Sequence, residues 1–456
     1  MTGQSADDRR AVAVAAAVGQ GIVGAAHPVA GLLDVRGIRE AAAALRSAFA
    51  EAGGHVEVLH AFAVKAAALV PVLRLLADEG LGCEVASPGE LALARAAGVP
   101  PGRTVLDSPA KTGAELREAL ALGIAVNADS REELARLDAL VRSAPTDSAL
   151  GVRVNPQVGC GSIDALSTAT ETSKFGVALR DAGARDWLIR AYAERPWLTR
   201  MHAHVGSQGC PLELMAEGVR IAYELAEEIN GVVGRQQIDT LDIGGGLPVN
   251  FTSDEVTPSF RDYARLLAAT VPGLFDGRYG LVTEFGRSLL AKSGTVLARV
   301  EYTKSAGGRL IAVTHAGAQV ATRTVFAPES WPLRVAVFDA LGRPKTTEPV
   351  PQDIAGPCCF AGDLVAVNRP LPLLEAGDHV ALLDTGAYYF SNHFAYNSLP
   401  RPGVYGYALA EGGSDDEAVR FAPVRMPQTL DELVAESGEA CAAGLTALGK
   451  SSPSGD

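Results

Sequence analysis

HVEVLHAFAVKAAALVPVLRLLADEGLGCEVASPGELALARAAGVPPGRTVLDS, residues 55–108, contains three short β-branched or apolar runs: HVEVLHAF (55–62), GCEVAS (82–87) and TVLDS (104–108). Between them lie stretches whose leucines and alanines recur at helical spacing and whose ends carry Gly or Pro. This is a β-α-β-α-β rhythm, and it continues. AVNAD (125–129), LGVRVN (150–155), RMHAHVG (200–206), TLDIGG (240–245) and GLVTEF (280–285) are further strand candidates. GAELREALALG and SREELARLDALVRSA are typical of the helical connections. Eight strands with eight helical connections predict an α/β fold, a closed (β/α)8 barrel over residues 36–290. A doubly wound open sheet is the alternative, because periodicity alone does not show closure.

Beyond residue 290 the pattern changes. LAKSGTVLARVEYTKSAGGRLIAVTHAG (290–317), LRVAVFDALG (333–342), DLVAVNRPLP (363–372) and DHVALLDTGAYYF (378–390) are strand-like runs joined by Gly/Pro turns. They predict a second, mainly antiparallel β domain formed by residues 1–35 with 291–430. A C-terminal helix from TLDELVAESGEACAAGLTALG and a disordered polar tail, KSSPSGD, complete the chain over 431–456.

The whole has 456 residues, 48% hydrophobic and 20% charged, which suits a packed multidomain body and excludes a mostly disordered chain. Net charge is −13 and no long basic block is present, so nucleic acid is not expected as a partner. Six scattered cysteines fit reduced thiols in a cytoplasm better than a disulfide scaffold. AVAVAAAVGQGIVGAA (11–26) superficially resembles the apolar part of an export signal, but its alanines, Gln20 and the preceding Asp7 and Asp8 favour an amphipathic N-terminal helix. No other stretch reaches 18 uninterrupted apolar residues, so no membrane span is expected.

Functional residues of a barrel gather at the C-terminal ends of its strands. Lys65 follows the first strand. A lone lysine there is ordinarily a surface residue; partial burial would lower its pKa and make it a Schiff-base nucleophile. His202 and His204 share one face of the sixth strand, as a metal pair would, but further ligands are not evident and no metal is expected. A histidine stacked on a planar ring, with Ser207 on a phosphate, accounts for the segment more economically. Gly244, Gly245 and Gly246 after the seventh strand could expose backbone N–H groups as an anion nest, although a glycine triplet is often only a tight turn. Glu284 and Arg287 end the eighth strand, where a structural ion pair is the plain alternative to a carboxylate for a ring nitrogen and an arginine for a phosphate. An amine nucleophile, a stacking imidazole, a phosphate nest and a carboxylate together describe a site for pyridoxal 5'-phosphate.

These residues resemble the fold-type III pyridoxal-phosphate decarboxylases, the family of diaminopimelate and ornithine decarboxylases. The likeness runs from about residue 30 to 425 through FAVKA, SPGEL, SKFGV, HVGSQ, GGGLP, E-x-GRS, GPxC and DTGAY…YNSLPRP. It implies a barrel with a β domain, and a homodimer whose active sites are shared between subunits. By that resemblance Lys65 holds the cofactor as an aldimine, His204 stacks on its ring and Glu284 bonds the pyridine nitrogen. Ser207, Gly244, Gly245, Gly246, Gly286, Arg287 and Tyr388 hold the phosphate. Glu84 stands where the family usually has an aspartate near the cofactor, and Cys359 matches a cysteine that reaches the neighbouring site.

Departures bear on the amino-acid substrate. Phe360 replaces the acidic residue that pairs a distal ammonium, and an unpaired buried ammonium costs several kcal/mol. Arg323 matches an arginine that binds a distal carboxylate, but the tyrosine expected four residues later is Ala327. The reading is therefore decarboxylation of an amino acid without a distal ammonium, apolar or neutral side chains ranking above diacids, with Arg323, Phe360 and Tyr388 at the substrate. The alternatives are a carrier- or amide-linked aminoacyl substrate, an amino-acid racemase, and a regulatory pseudoenzyme forming mixed dimers.

Overall fold

The computed structural model describes residues 5–53, 56–389, 391–410 and 419–448. His55, Phe390 and the polar tail 450–456, all parts of expected elements, lie outside these residues. The eight expected strands form, at Val58–Ala63, Gly82–Val85, Thr104–Leu106, Ala125–Ala128, Leu150–Asn155, Leu198–His202, Thr240–Asp242 and Gly280–Thr283. Each pairs in parallel with its neighbours. The eighth returns to the first through Leu281–Val58, Val282–Leu59 and Thr283–His60, which closes the barrel and removes the open-sheet alternative.

Local chemistry explains where the connecting helices start. Ser87 accepts the Glu90 N–H while Glu90 accepts the Ala86 N–H, and Pro88 opens the helix Pro88–Ala96; the SPGEL motif is thus a helix cap. Thr112 and Glu115 form a reciprocal capping box at the next helix, Gly113–Leu122. Leu212–Val233, the longest helix, buries Met215, Val219, Ala222, Leu225, Ala226 and Ile229, the three-and-four spacing of one inward face, and stops at the left-handed Gly234. Inside the barrel, Ala61, Val105, Ala125 and Val282 form a small apolar layer, while Asn127, Asp242 and Glu84 are buried polar residues of its strands.

The second sheet is built around Gly294–Ala306, which pairs antiparallel with Val29–Asp34, Arg309–Thr314 and His379–Leu383. Two of its pairings are parallel: Val29–Asp34 with Gly403–Leu409, and Arg309–Thr314 with Pro349–Ala355. Helix Ala6–Gly19, capped by Ser5, packs Ala13, Val14 and Ala17 against Leu32, Leu297, Phe338 and Tyr407 of this sheet. A helix that periodicity did not show, Ala318–Phe326, interrupts the strands; nine residues with a kink at Ala321 are too few for a helical repeat to register. Near the C terminus a helix spans Leu430–Glu436. Among the described residues no helix is long and apolar enough to cross a membrane, and all six cysteines are free thiols.

Candidate active site

Two adjoining cavities of about 240 and 260 Å³ share Lys65, Thr168, Phe175, His204 and Glu284, and together make one cleft at the strands' C-terminal ends. Lys65 sits in the 3-10 turn Val64–Ala66 that ends the first strand. Its Nζ lies 2.6 Å from Oε2 of the buried Glu84 on the second strand. Burial opposes the ammonium, but Glu84, Tyr388 and Glu284 outweigh it and hold Lys65 above the ordinary lysine range. This corrects the expectation of a depressed amine: the acid neighbours, 19 or more residues away in sequence, decide the sign.

His204 accepts the Gly245 N–H at Nδ1 (3.1 Å), so its remaining proton sits on Nε2. Burial, with the nearby cations Arg153 and Lys65, holds it neutral, well below the usual histidine range. Gly244 (φ 67°) and Gly246 (φ 93°) have left-handed backbones, and a Cβ on Gly246 would run into the Gly206 carbonyl. The triplet is therefore both a tight turn and the floor against which His204 rests.

Glu284 is buried, and its Oε1 has no hydrogen-bond partner. Burial and the carboxylates Asp242, Asp107 and Glu84 raise its pKa well above the usual range. Ligand atoms of Asp107, Asp242 and Glu284 all lie within 4.8 Å of one another. Arg200 lies 3.3 Å from Asp242, and His202 stands between Asp107 (3.4 Å) and Glu284 (3.6 Å). Burial works against the Asp107 carboxylate too, but His202, Glu284 and Lys111 together outweigh it and hold its carboxyl well below the usual range. Glu284 is left as the carboxyl in want of a cation, which is what a protonated ring nitrogen supplies. Asp107, Arg153, Thr168 and Phe175 also line the cleft; a position at a strand end marks Asp107 and Arg153 and the SKFGV motif marks Phe175, whereas Thr168, in the loop after the fifth strand, carries no sequence signal.

The β domain forms the remaining wall. Tyr388, with φ 67°, donates its N–H to the Ala66 carbonyl (2.6 Å) and so lands on the lysine turn. Arg287 and Arg323 both stack on Tyr388, with Cζ 4.5 and 4.4 Å from the ring centroid. Arg287 Nε and Arg323 Nη1 are buried without hydrogen-bond partners, and neither arginine has an ion-pair partner among the described residues. Ser207 and Gly286 line the same cavity. Cys359 and Phe360 do not line either cavity. Cys359 is exposed, its N–H bonded to Asn397 Oδ1 (2.7 Å), and Phe360 stacks on Phe326 at 5.4 Å in a surface aromatic group with Phe394 and Tyr396.

The residues present fit pyridoxal phosphate: an amine, a neutral stacking imidazole, an unpartnered acid for the ring nitrogen, and a glycine turn beside Ser207. Comparison with known proteins agrees. Residues 35–291 match the model of the pyridoxal-dependent decarboxylases' pyridoxal binding domain. Diaminopimelate decarboxylase of Pseudomonas aeruginosa is 33% identical over 395 residues, covering 85% of this chain and 88% of that protein. The Aquifex aeolicus enzyme of the same name is 30% identical over 383 residues, covering 83% and 85%. The crystal structure of Helicobacter pylori diaminopimelate decarboxylase complexed with L-lysine superposes with a TM-score of 0.77 at 25% identity, over 90% of this chain and 97% of that one. The chain belongs to the fold-type III pyridoxal-phosphate-dependent decarboxylases, and its cofactor is pyridoxal 5'-phosphate.

Proposed function

We propose that this decarboxylase acts on a free amino acid whose distal end bears a carboxylate and no ammonium group. The observation that carries the reading is the Arg287–Arg323 pair, two unpartnered guanidiniums stacked on Tyr388 at one wall of the lysine cleft. Arg323 alone, taken as a surface ion pair, ranks apolar side chains first. Paired with buried Arg287 it favours an anion, because two desolvated like charges are relieved by one. Phe360 supplies no carboxylate for an ammonium.

Pyridoxal phosphate, when bound, supplies the electron sink for the pair left behind as carbon dioxide departs. Lys65 Nζ is its covalent anchor, and Glu84 sets how readily that nitrogen gives up its proton. Neutral His204 would stack on its ring, Glu284 Oε1 would accept from the ring nitrogen, and Ser207, Gly244–Gly246, Gly286 and Tyr388 would hold the phosphate. Arg287, expected among the phosphate ligands, is assigned instead with Arg323 to the substrate's distal end. We divide the chain into the cofactor-holding barrel 36–290, the β unit of 1–35 with 291–430 that contributes Arg323 and Tyr388, and the C-terminal segment 431–456. We infer a homodimer, which the loop 356–363 supports: Cys359 and Phe360 stand outside their own chain's cleft, and Cys359 would serve the neighbouring subunit's site.

The test is kcat/KM for carbon dioxide release from glutamate, 2-aminoadipate, leucine, phenylalanine, lysine and diaminopimelate in both chiral forms. An acidic side chain should lead. Lysine should trail by about a hundredfold, the cost of roughly 3 kcal/mol for an unpaired ammonium. Lysine or diaminopimelate leading would refute the argument from Phe360. Borohydride reduction should leave the cofactor on Lys65.

A further inference from the structure

Two like-charged guanidiniums without a carboxylate need something to keep them charged and together, and one of the groups that does so lies outside the cleft. Trp331, buried at 6% exposure, is absent from the lining of both cavities. Yet Arg287 Cζ lies 4.6 Å and Arg323 Cζ 5.0 Å from its ring centroid. With Tyr388 at 4.5 and 4.4 Å, each guanidinium has two aromatic neighbours. Trp331 is itself held in place: its N–H bonds the Ala327 carbonyl at 3.0 Å, one turn beyond the helix that carries Arg323, and its ring meets Phe251 edge-on at 6.3 Å.

We propose that Trp331 is a positioning residue for substrate acidity: its indole face, together with Tyr388, holds Arg287 and Arg323 side by side as a clamp for the distal carboxylate. The inference rests on the acidic-substrate reading above. Burial, added to by Arg323, lowers Arg287 to about 10, so the pair is held against a real electrostatic cost. A tryptophan face offsets such a cost better than tyrosine or phenylalanine does, and an aliphatic side chain of similar bulk offers no quadrupole. A tryptophan serving only as core packing would instead affect stability and leave the recognition of anions unchanged.

The experiment uses holoenzyme and the series Trp331→Tyr, Trp331→Phe and Trp331→Leu, with calorimetric binding of glutarate and of its neutral-ended monoamide, glutaramate. Wild type should prefer glutarate. Trp331→Leu should weaken glutarate about tenfold and glutaramate less than about twofold, with tyrosine and phenylalanine in between. KM for the acidic substrate should rise with kcat held, and the dissociation constant for pyridoxal phosphate should not move. If the leucine variant does not fold, the graded loss across tyrosine and phenylalanine decides. Equal losses for both ligands, or none, would overturn the proposal. So would weaker cofactor binding with glutarate unchanged, which would place the cofactor's phosphate on the arginines. A wild type indifferent to the second carboxylate would instead remove the acidic-substrate reading, and the proposal with it.

Discussion

Replacing Glu84 by glutamine should make the apoprotein take up its cofactor faster near neutral pH. Lys65 Nζ must lose a proton before it can bond to an aldehyde, and its 2.6 Å contact with Glu84 opposes that loss. The Glu84 side chain is 2% exposed and that of Lys65 45%, so water screens one side of the pair. A fully buried contact would be worth several kcal/mol; with this screening we take about 1.4 kcal/mol, a factor of ten in the neutral fraction of the amine. The assay is stopped-flow absorbance on mixing apoprotein with pyridoxal phosphate across pH. Glu84→Gln should react about tenfold faster at about pH 7.5, and the midpoint of its pH–rate curve should fall, while Lys65→Ala shows no covalent attachment. An unchanged or slower rate with an unmoved midpoint would show that Glu84 does not control the lysine.

Stability should fall as pH drops from about 6.5 to about 4, by up to roughly 3 kcal/mol, because burial and then Arg46 and Arg103 depress buried His60 to about 4 while the unfolded chain takes the proton first. His60→Gln should flatten the dependence of Tm on pH in that window. Asp34→Ala should cost about 3–5 kcal/mol in urea denaturation, since Asp34 both pairs with buried Arg9 (2.7 Å) and accepts the Gly37 N–H (3.1 Å) at the start of helix Val35–Ala52; a loss below about 1 kcal/mol would mean that the pair does not hold the N-terminal helix. Mixing Lys65→Ala with Cys359→Ala should restore up to about a quarter of the active sites under random subunit exchange, and no recovery despite exchange would place both residues in one subunit's site.

What the sequence determined by itself is what repeats or sits next to itself along the chain. The eight strands lie within a few residues of their expected positions, because a two-residue alternation and a bounding Gly or Pro are local properties. Lys65, His204, Gly244–Gly246 and Glu284 were legible for the same reason: each follows or ends a strand, and strand ends are where a barrel collects its chemistry. The tertiary structure decided whatever depends on distance through space. Closure rests on pairing residues 58–60 with 281–283, which no periodicity encodes. The basicity of Lys65 is not legible in the sequence because its carboxylate neighbours, Glu84 and Glu284, come from other strands, and Coulomb energy follows separation in space, not in sequence. Arg323 read as half of a broken clamp, since the helix bearing it is too short to show a period and its partners Arg287, Trp331 and Tyr388 are brought to it only when the second sheet closes over the barrel's mouth.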